Sequence, residues 1–192
     1  MEEKRKAPVF NIMLAAMFMA VGLVLPFLFG QIQQIGNKLL PMHIPVLLCG
    51  LICGWKYGLI VGFMLPLLRG MLFAMPVFFP TGIAMAFELA TYGAVIGLLY
   101  SHSRWQSVAA VYRSMVPAML AGRGVWGAAQ LLLLGINGKG FTWQMFMAGA
   151  FLNAVPGIIL QLILIPAVMA ALNRAGFVRF VRKTAPVQNA ED

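Results

Sequence analysis

A single carboxylate lies inside a strongly apolar part of this sequence. Glu88 follows Ala-Met-Ala-Phe and precedes Leu-Ala-Thr-Tyr-Gly, and it is the only acidic residue between Glu3 and Glu191. An ionised side chain near the centre of a lipid-facing helix costs about 2.5–3.5 kcal/mol. We therefore expect Glu88 to face the interior of a helix bundle, where a cation or a ligand can pair with it.

Two arginines, an indole and an amide occupy similar apolar runs. Arg69 and Arg123 belong to no loop, and Arg123, Trp126 and Gln130 follow one another at intervals of three and four residues. That spacing places the last three along one stripe of a helix. An arginine fork, an aromatic plane and an amide together suit a carboxylate or another planar polar group. The stripe predicts a binding surface.

Further polar residues lie at comparable depth on other helices. Tyr92 comes four residues after Glu88, on the same helical face. At 1.5 Å per residue, the depths below the outer ends of the predicted helices are about 10 Å for Glu88, about 8 Å for Arg69, about 18 Å for Arg123 and about 15 Å for Asn153. These depths predict one pocket, lined by several helices and open to the outside.

A purely structural role is the alternative for these charges. Glu88 could form a salt bridge with either Arg69 or Arg123 and so lock the bundle. Two buried cations and one anion nevertheless leave one positive charge without a partner. A substrate carboxylate or phosphate could neutralise it, which favours an anionic ligand.

The histidines and cysteines do not form a metal-binding pattern. His43 lies at the predicted outer start of the second helix and His102 in a distant turn, so no histidine cluster exists. We interpret His43 as a residue that forms hydrogen bonds at the membrane interface. Cys49 and Cys53 share one face of an apolar helix, where small core residues are expected.

The sequence also lacks a nucleotide-binding motif. Gly135-Ile-Asn-Gly-Lys-Gly does not have the G-x-x-x-x-G-K-[ST] spacing of a phosphate-binding loop. An intramembrane enzyme would need a nucleophile–base pair or metal ligands, and a single buried carboxylate does not supply them. We therefore expect no cofactor, no metal and no enzymatic activity, and any ATP hydrolysis would belong to a partner.

The composition indicates an integral membrane protein. Hydrophobic residues make up 61% of the 192 residues and charged residues only 10%, with a mean hydropathy of +0.88. Soluble domains carry about 25% charged residues. The net charge of +9 does not indicate a nucleic-acid-binding protein, because the basic residues cluster at chain ends and turns. The first run, Ala7–Phe29, is longer than a signal-peptide core of about 7–15 residues, so we expect it to be retained.

Six apolar runs of suitable length predict an all-α bundle of six transmembrane helices. Leu39–Ala74 is almost continuous, and we divide it at Gly54-Trp55-Lys56-Tyr57-Gly58 because one helix of this length would be about 54 Å long. The predicted spans are Val9–Phe29, Leu39–Trp55, Tyr57–Ala74, Thr81–Tyr100, Val108–Ile136 and Trp143–Leu172. Pro117, Pro156 and Pro166 predict kinks or interfacial extensions in the last two.

An even number of spans places both termini on one side, and the basic residues indicate which side. With cytoplasmic termini, only Lys38 and Lys139 fall in outer loops, as the positive-inside rule requires. We predict an N-terminal tail at 1–8, a transmembrane domain at 9–175 and a basic C-terminal tail at 176–192. The basic residues on the predicted cytoplasmic side are Lys4, Arg5, Lys6, Lys56, Arg104, Arg113, Arg174, Arg179, Arg182 and Lys183.

Small residues recur at four-residue spacing on three helices. This spacing lets helix backbones approach closely, either within one chain or between subunits. Both interpretations remain open at this point. The residues concerned are Ala16 and Ala20 on the first helix, Gly50, Gly54, Gly58 and Gly62 across the second turn, and Gly93 and Gly97 on the fourth helix.

Two segments of the first half resemble a known pattern. They are Pro-Met-His-Ile-Pro-Val-Leu-Leu-Cys-Gly-Leu-Ile-Cys-Gly-Trp-Lys-Tyr-Gly, from Pro41 to Gly58, and Leu-Pro-Leu-Leu-Arg-Gly at 65–70. They are similar to the I-P-x-L-x-G-x-x-x-G-x-x-x-G pattern of vitamin-type substrate-binding S components of energy-coupling factor (ECF) transporters. The likeness extends over the six spans, roughly residues 9–175.

This resemblance implies the capture of a vitamin or related micronutrient from outside a bacterial cell. It also implies delivery with a transmembrane coupling subunit and two cytoplasmic ATPases, with Ala16 and Ala20 contacting the coupling subunit. The outer loops Gly30–Pro41 and Ala74–Pro80 would gate the pocket. A carboxylate-bearing vitamin such as pantothenate would match the excess positive charge. The expected substrate-binding residues are Glu88, Arg123, Trp126, Gln130, Asn153, Arg69 and Tyr92.

A stand-alone secondary transporter is the alternative function. Glu88 could carry a proton during the exchange of a small polar solute. Such transporters often contain two similar halves with broken helices, and residues 1–96 show no similarity to 97–192. A requirement for ATP in transport would distinguish the two functions.

Overall fold

A computed structural model describes residues 3–29, 40–136, 138, 140–178 and 180. These residues form helices and no strand, which confirms the all-α prediction. A π-helical turn at Ala148–Leu152 lies between α6 and α7, and a kinked segment at Phe78–Gly82, in which Phe79 has extended backbone angles (φ −123°, ψ 133°), precedes α4. The helices are α1 Glu3–Phe29, α2 His43–Cys53, α3 Trp55–Phe73, α4 Ile83–His102, α5 Val108–Ile136, α6 Trp143–Met147 and α7 Val155–Arg174.

In the described part of the chain, five apolar helical stretches are long enough to cross a membrane, and α2 is a further, shorter apolar helix. At 11 residues, α2 is about 16 Å long, roughly half the thickness of the hydrocarbon layer. The predicted second span Leu39–Trp55 is therefore too long, and Leu39 lies outside the described residues. The five long stretches are Pro8–Phe27, Trp55–Phe73, Phe78–His102, Val108–Ile136 and Trp143–Arg174.

The expected break in the second and third apolar runs occurs at Gly54. Its backbone angles, φ 93° and ψ 170°, belong to a region that is open almost only to glycine. The next helix, α3, begins at the following residue. A single glycine therefore divides the apolar run into α2 and α3.

The glycine series of α2 and α3 packs against the glycines of α4. A Cβ atom on Gly50 would lie 2.6 Å from the carbonyl oxygen of Gly93, and one on Gly97 would lie 2.6 Å from the backbone of Trp55. Cβ atoms on Gly93 and Gly62 would also meet backbone carbonyl groups of the neighbouring helix. These glycines therefore serve packing within the chain, and the backbone leaves no room for larger residues.

Helix α1 packs on one side of this core and leaves its other side open. Ala15, Phe18 and Gly22 are buried, and a Cβ on Gly22 would lie 3.2 Å from Pro45 of α2. Ala16 and Ala20 are exposed. The two alanines thus point away from the rest of the chain.

The last apolar stretch is not one continuous helix. α6 leads into the π-helical turn, and the helical backbone resumes at Val155 with Pro156 in its first turn. By contrast, α5 continues through Pro117 and α7 continues through Pro166.

Several sequence-based predictions fall partly outside the described residues. α1 begins at Glu3, within the predicted N-terminal tail. Lys38, Lys139, most of the loop Gly30–Pro41 and most of the C-terminal segment 176–192 are not described.

Candidate functional site: a buried polar cluster between α2, α4 and α5

Glu88 of α4 forms an ion pair with Arg123 of α5. The Oε1 atom of Glu88 lies 2.8 Å from a terminal guanidinium nitrogen of Arg123, and the two side chains are only 2% and 7% exposed. Of the two arginines considered as partners of Glu88, Arg123 is therefore the one that pairs with it. It also fulfils the expectation that Glu88 faces the bundle interior.

His43, the first residue of α2, lies next to this ion pair. Its Nε2 atom is 3.6 Å from the same Oε1 atom of Glu88, slightly beyond hydrogen-bond distance, and the side chain is 1% exposed. In the described part of the chain, neither ring nitrogen of His43 has a hydrogen-bond partner, and Nε of Arg123 also lacks one. Buried donors and acceptors are normally paired, so these atoms are candidates for contacts with a ligand.

The interpretation of His43 as an interfacial residue was wrong, and the length of α2 explains why. Because α2 rises only about 16 Å from the break at Gly54, its first residue lies near the middle of the bundle rather than at the surface. The hydropathy of the run before Gly54 does not show that α2 is shorter than the run. Pro41 and Pro45 around His43 were the available signal, since proline is frequent in the first turn of a helix.

Tyr92 completes the cluster on its α4 side. Its ring meets the His43 imidazole edge-on, with centroids 5.2 Å apart and planes inclined by 61°. It also covers Gly122 of α5, where a Cβ would lie 2.8 Å from the ring. We refer to His43, Glu88, Tyr92 and Arg123 as the buried polar cluster.

Arg69 does not belong to the buried polar cluster. It donates a 2.7 Å hydrogen bond to the carbonyl oxygen of Leu23 in α1. Its guanidinium carbon lies 4.7 Å from the ring centre of Phe27 and 5.6 Å from that of Phe73. Arg69 therefore ties α1 to α3, and the considered pairing of Arg69 with Glu88 is not formed.

Gln130 and Trp126 continue the α5 stripe in different surroundings. Gln130 is buried, about two helical turns after Arg123. Trp126 packs against Phe141 and Phe146, with ring centroids 6.0 and 6.3 Å away. A Cβ on Gly149 would lie 2.6 Å from its indole ring. The indole is thus part of an aromatic group at the start of the last apolar stretch.

An open groove of about 280 Å³ lies between α5 and the start of the last apolar stretch. Its floor consists of small residues of α5 and its wall of aromatic residues. The volume is close to the lower end of that of small-molecule sites. Its lining residues are Gly124, Gly127, Ala128, Leu131, Phe141, Thr142, Trp143 and Phe146.

Two amide side chains depart from the sequence-based expectation. Asn153 is exposed, at the break before α7, and lies neither in the buried polar cluster nor in the groove lining. Gln161 of α7, which the sequence analysis did not single out, is 1% exposed, and its Nε2 atom has no hydrogen-bond partner among the described residues. In the sequence, a single amide within an apolar run was the feature that could have identified Gln161 as a buried polar residue.

The described residues contain no group of three or more His, Cys, Asp or Glu side chains that could hold a metal ion. Cys49 and Cys53 are buried free thiols on α2. The chemistry of the site therefore comes from one carboxylate, one guanidinium, one imidazole, one phenol and nearby amides. Such groups can form ion pairs and hydrogen bonds with a polar ligand.

The chain matches a family model described as "ECF transporter, substrate-specific component" over residues 10–169. No curated protein and no solved structure matches it. Among the described residues, the family match covers the seven helices except the ends of α1 and α7. The chain therefore belongs to the family of substrate-specific components of ECF transporters.

Proposed function

We propose that the protein captures a vitamin or related micronutrient outside the cell and delivers it inward with a coupling subunit and two cytoplasmic ATPases. The observation that carries this proposal is the buried polar cluster, because it contains unpaired hydrogen-bonding atoms in the middle of an apolar bundle. A purely structural ion pair gives no reason for the free nitrogens of His43 and Arg123. A bound polar ligand does.

The proposed recognition surface is the buried polar cluster together with Gln130. Arg123 uses one terminal nitrogen for Glu88, and its Nε has no partner among the described residues. The edge of the guanidinium that carries Nε is therefore available to a ligand. The fork geometry suits a carboxylate, which supports a carboxylate-bearing vitamin such as pantothenate. Trp126 would act through the aromatic wall of the groove. Arg69 and Asn153 have no substrate contact in this proposal.

The proposed orientation places both termini in the cytoplasm of a multi-pass cell-membrane protein. Lys56 lies exposed just after the break at Gly54, and Arg104 and Arg113 lie exposed around the start of α5. With α2 counted as the sixth span, all three share a side with the termini, and cytoplasmic loops are enriched in such residues. The start of α2 then faces the outer half of the membrane.

The proposed contact with the coupling subunit is the exposed side of α1. Ala16 and Ala20 are exposed there at four-residue spacing, and small residues allow another helix to approach closely. Neighbouring Met13 and Met17 are also exposed. Methionine side chains adapt to varied partners.

The first experiment is mass spectrometry of small molecules released when the purified protein is denatured. We expect one micronutrient in roughly stoichiometric amount from the wild type, and much less from Arg123→Gln. Arg113→Gln, an exposed arginine on the same helix, is the matched control and should retain the ligand. No ligand from the wild type, also after exposure to a vitamin panel, would contradict the proposal.

Transport assays separate the two candidate functions. In proteoliposomes, uptake should require the coupling subunit, both ATPases and ATP. Uptake by this chain alone, driven by a proton gradient and lost in Glu88→Gln, would instead support a secondary transporter.

A further inference from the structure

The buried polar cluster is electrically balanced as it stands. Arg123 contributes one positive charge and Glu88 one negative charge, at 2.8 Å. The His43 imidazole has no hydrogen-bond partner on either nitrogen. A buried imidazolium with unpaired donors would be costly, so the ring is neutral in this arrangement. The net charge of the cluster's side chains is zero.

The charged groups that act on His43 come from two neighbouring helices. They are Glu88 of α4 and Arg123 of α5, and the phenol of Tyr92 on α4 lies against the ring. Among the described residues, α1, α3 and α7 bring no charge to the imidazole. Arg69 of α3 is engaged with Leu23 of α1 instead.

This balance changes when an anion binds. A substrate carboxylate on Arg123 would add a second negative charge beside Glu88, in a site with almost no water. Uncompensated buried charge is strongly unfavourable. A further positive charge within contact distance of Glu88 would restore neutrality, and His43 is the one group of the cluster able to supply it.

We propose that the buried polar cluster takes up one proton together with each substrate carboxylate, and that His43 is the group that accepts this proton. The inference rests on the proposed function and adds the composition of the bound state to it. The proton comes from the aqueous phase and forms an N–H bond on the imidazole. A hydronium ion or a buffer acid gives up this proton, with cleavage of its own O–H or N–H bond, and no bond of the substrate is made or broken.

The geometry favours His43 over Glu88 as the acceptor. Oε1 of Glu88 already lies 2.8 Å from a terminal nitrogen of Arg123, so a proton placed on the carboxylate would break an existing ion pair. Nε2 of His43 stands 3.6 Å from the same oxygen, so a small approach by a protonated ring would form a charge-assisted hydrogen bond. The bound state would then contain two cations, Arg123 and His43, and two anions, Glu88 and the ligand.

This stoichiometry has a measurable consequence for affinity. Where His43 is neutral in the free protein and protonated in the complex, the complex holds one more proton. Lower pH therefore favours binding, and Kd should fall by about tenfold for each pH unit of acidification. Below the range where the free protein also binds this proton, the dependence should disappear.

The test is isothermal titration calorimetry on the purified full chain in Bis-Tris and in Tris, two buffers that have different enthalpies of ionisation and supply no competing phosphate. The probes are pantothenate and nicotinate, with the uncharged analogues pantothenol and nicotinamide as controls. For a carboxylate that binds, the buffer dependence of the heat should give an uptake of one proton. An uncharged analogue that binds should show no uptake.

Three variants identify the acceptor. Glu88→Gln should bind the carboxylate with no proton uptake, because one anion then balances Arg123 alone. His43→Gln should bind more weakly, with no uptake and a flat pH profile. His102→Gln, which changes the only other histidine, exposed near the end of α4, should retain the uptake of one proton.

Several outcomes would overturn the inference. They are carboxylate binding by the wild type without proton uptake, undiminished uptake in His43→Gln, or failure of both carboxylates to bind. A released micronutrient without a carboxylate would also overturn it while leaving the capture function intact. If His43→Gln does not fold, His43→Asn replaces it, because Glu88→Gln abolishes the uptake whichever of the two side chains accepts the proton.

Discussion

Two sets of small residues share the same four-residue spacing but have opposite surroundings. The glycines of α2, α3 and α4 are closed against one another, so that a single added carbon on Gly93 would meet the backbone of Gly58. Ala16 and Ala20 of α1 are open. The comparison shows that the same spacing of small residues is covered by a neighbouring helix in one region and exposed in the other, so the spacing alone does not identify a contact.

The packed glycines of α2, α3 and α4 also position the polar groups. Glu88 is one helical turn before the glycine contact on α4, and His43 is two turns before Gly50 on α2. Because these helix backbones nearly touch, the carboxylate and the imidazole are positioned by rigid elements. Sites built on helices hold their geometry better than sites built on loops.

The largest expected loss of stability comes from breaking the buried ion pair, which lies next to the packed glycines. Arg123→Ala should lower the free energy of unfolding by about 3–5 kcal/mol, because it leaves the Glu88 carboxylate buried and unpaired. The double variant Glu88→Ala/Arg123→Ala should lose less than the sum of the two single variants. Thermal unfolding in detergent would measure this. Strictly additive losses would show that the two side chains are not coupled.

The next largest effect is expected at the glycine contact itself. Gly93→Ala should lower the free energy of unfolding by about 1–3 kcal/mol, the usual cost of overpacking, because the obstacle is backbone rather than a flexible side chain. Gly124→Ala is the matched control, since no atom lies within 4 Å of its added Cβ. It should be neutral or stabilise by up to about 1 kcal/mol. Equal effects of both changes would remove the distinction between closed and open glycines.

The smallest effect on stability is expected at the open alanines. Ala16→Leu/Ala20→Leu should change the free energy of unfolding by no more than about 0.5 kcal/mol and leave substrate binding intact. ATP-dependent uptake by the assembled transporter should nevertheless be lost, because a helix of the coupling subunit can no longer pack closely against α1. Ala167→Leu, an exposed alanine on α7, should transport normally. Normal uptake by the α1 variant would rule out this docking surface.

The sequence predicted those features whose cause is local. Gly54 within a long apolar run predicted a break, and the apolar surroundings of Glu88 predicted that it would be buried. The partner of Glu88 was not local information. Arg69 and Arg123 lie in similar apolar runs, and only the packing shows that Arg69 bonds to the Leu23 carbonyl of α1.

His43 and Asn153 show a second limit. Their depths were estimated from the lengths of apolar runs, and an apolar run need not be helical throughout. The start of α2 at His43 brought one residue into the buried polar cluster. The break before α7 left the other exposed at the surface. Helix ends within apolar sequence depend on packing partners, which periodicity does not reveal.

The short length of α2 has a further electrical consequence. Aligned peptide dipoles place about half a positive elementary charge at the amino end of a helix. Since α2 starts at His43, this backbone charge lies near mid-membrane, beside Arg123, where low polarisability makes it effective. It would attract an incoming carboxylate, and no side-chain substitution removes it. Only a change in the residue at which α2 begins would displace this fixed field.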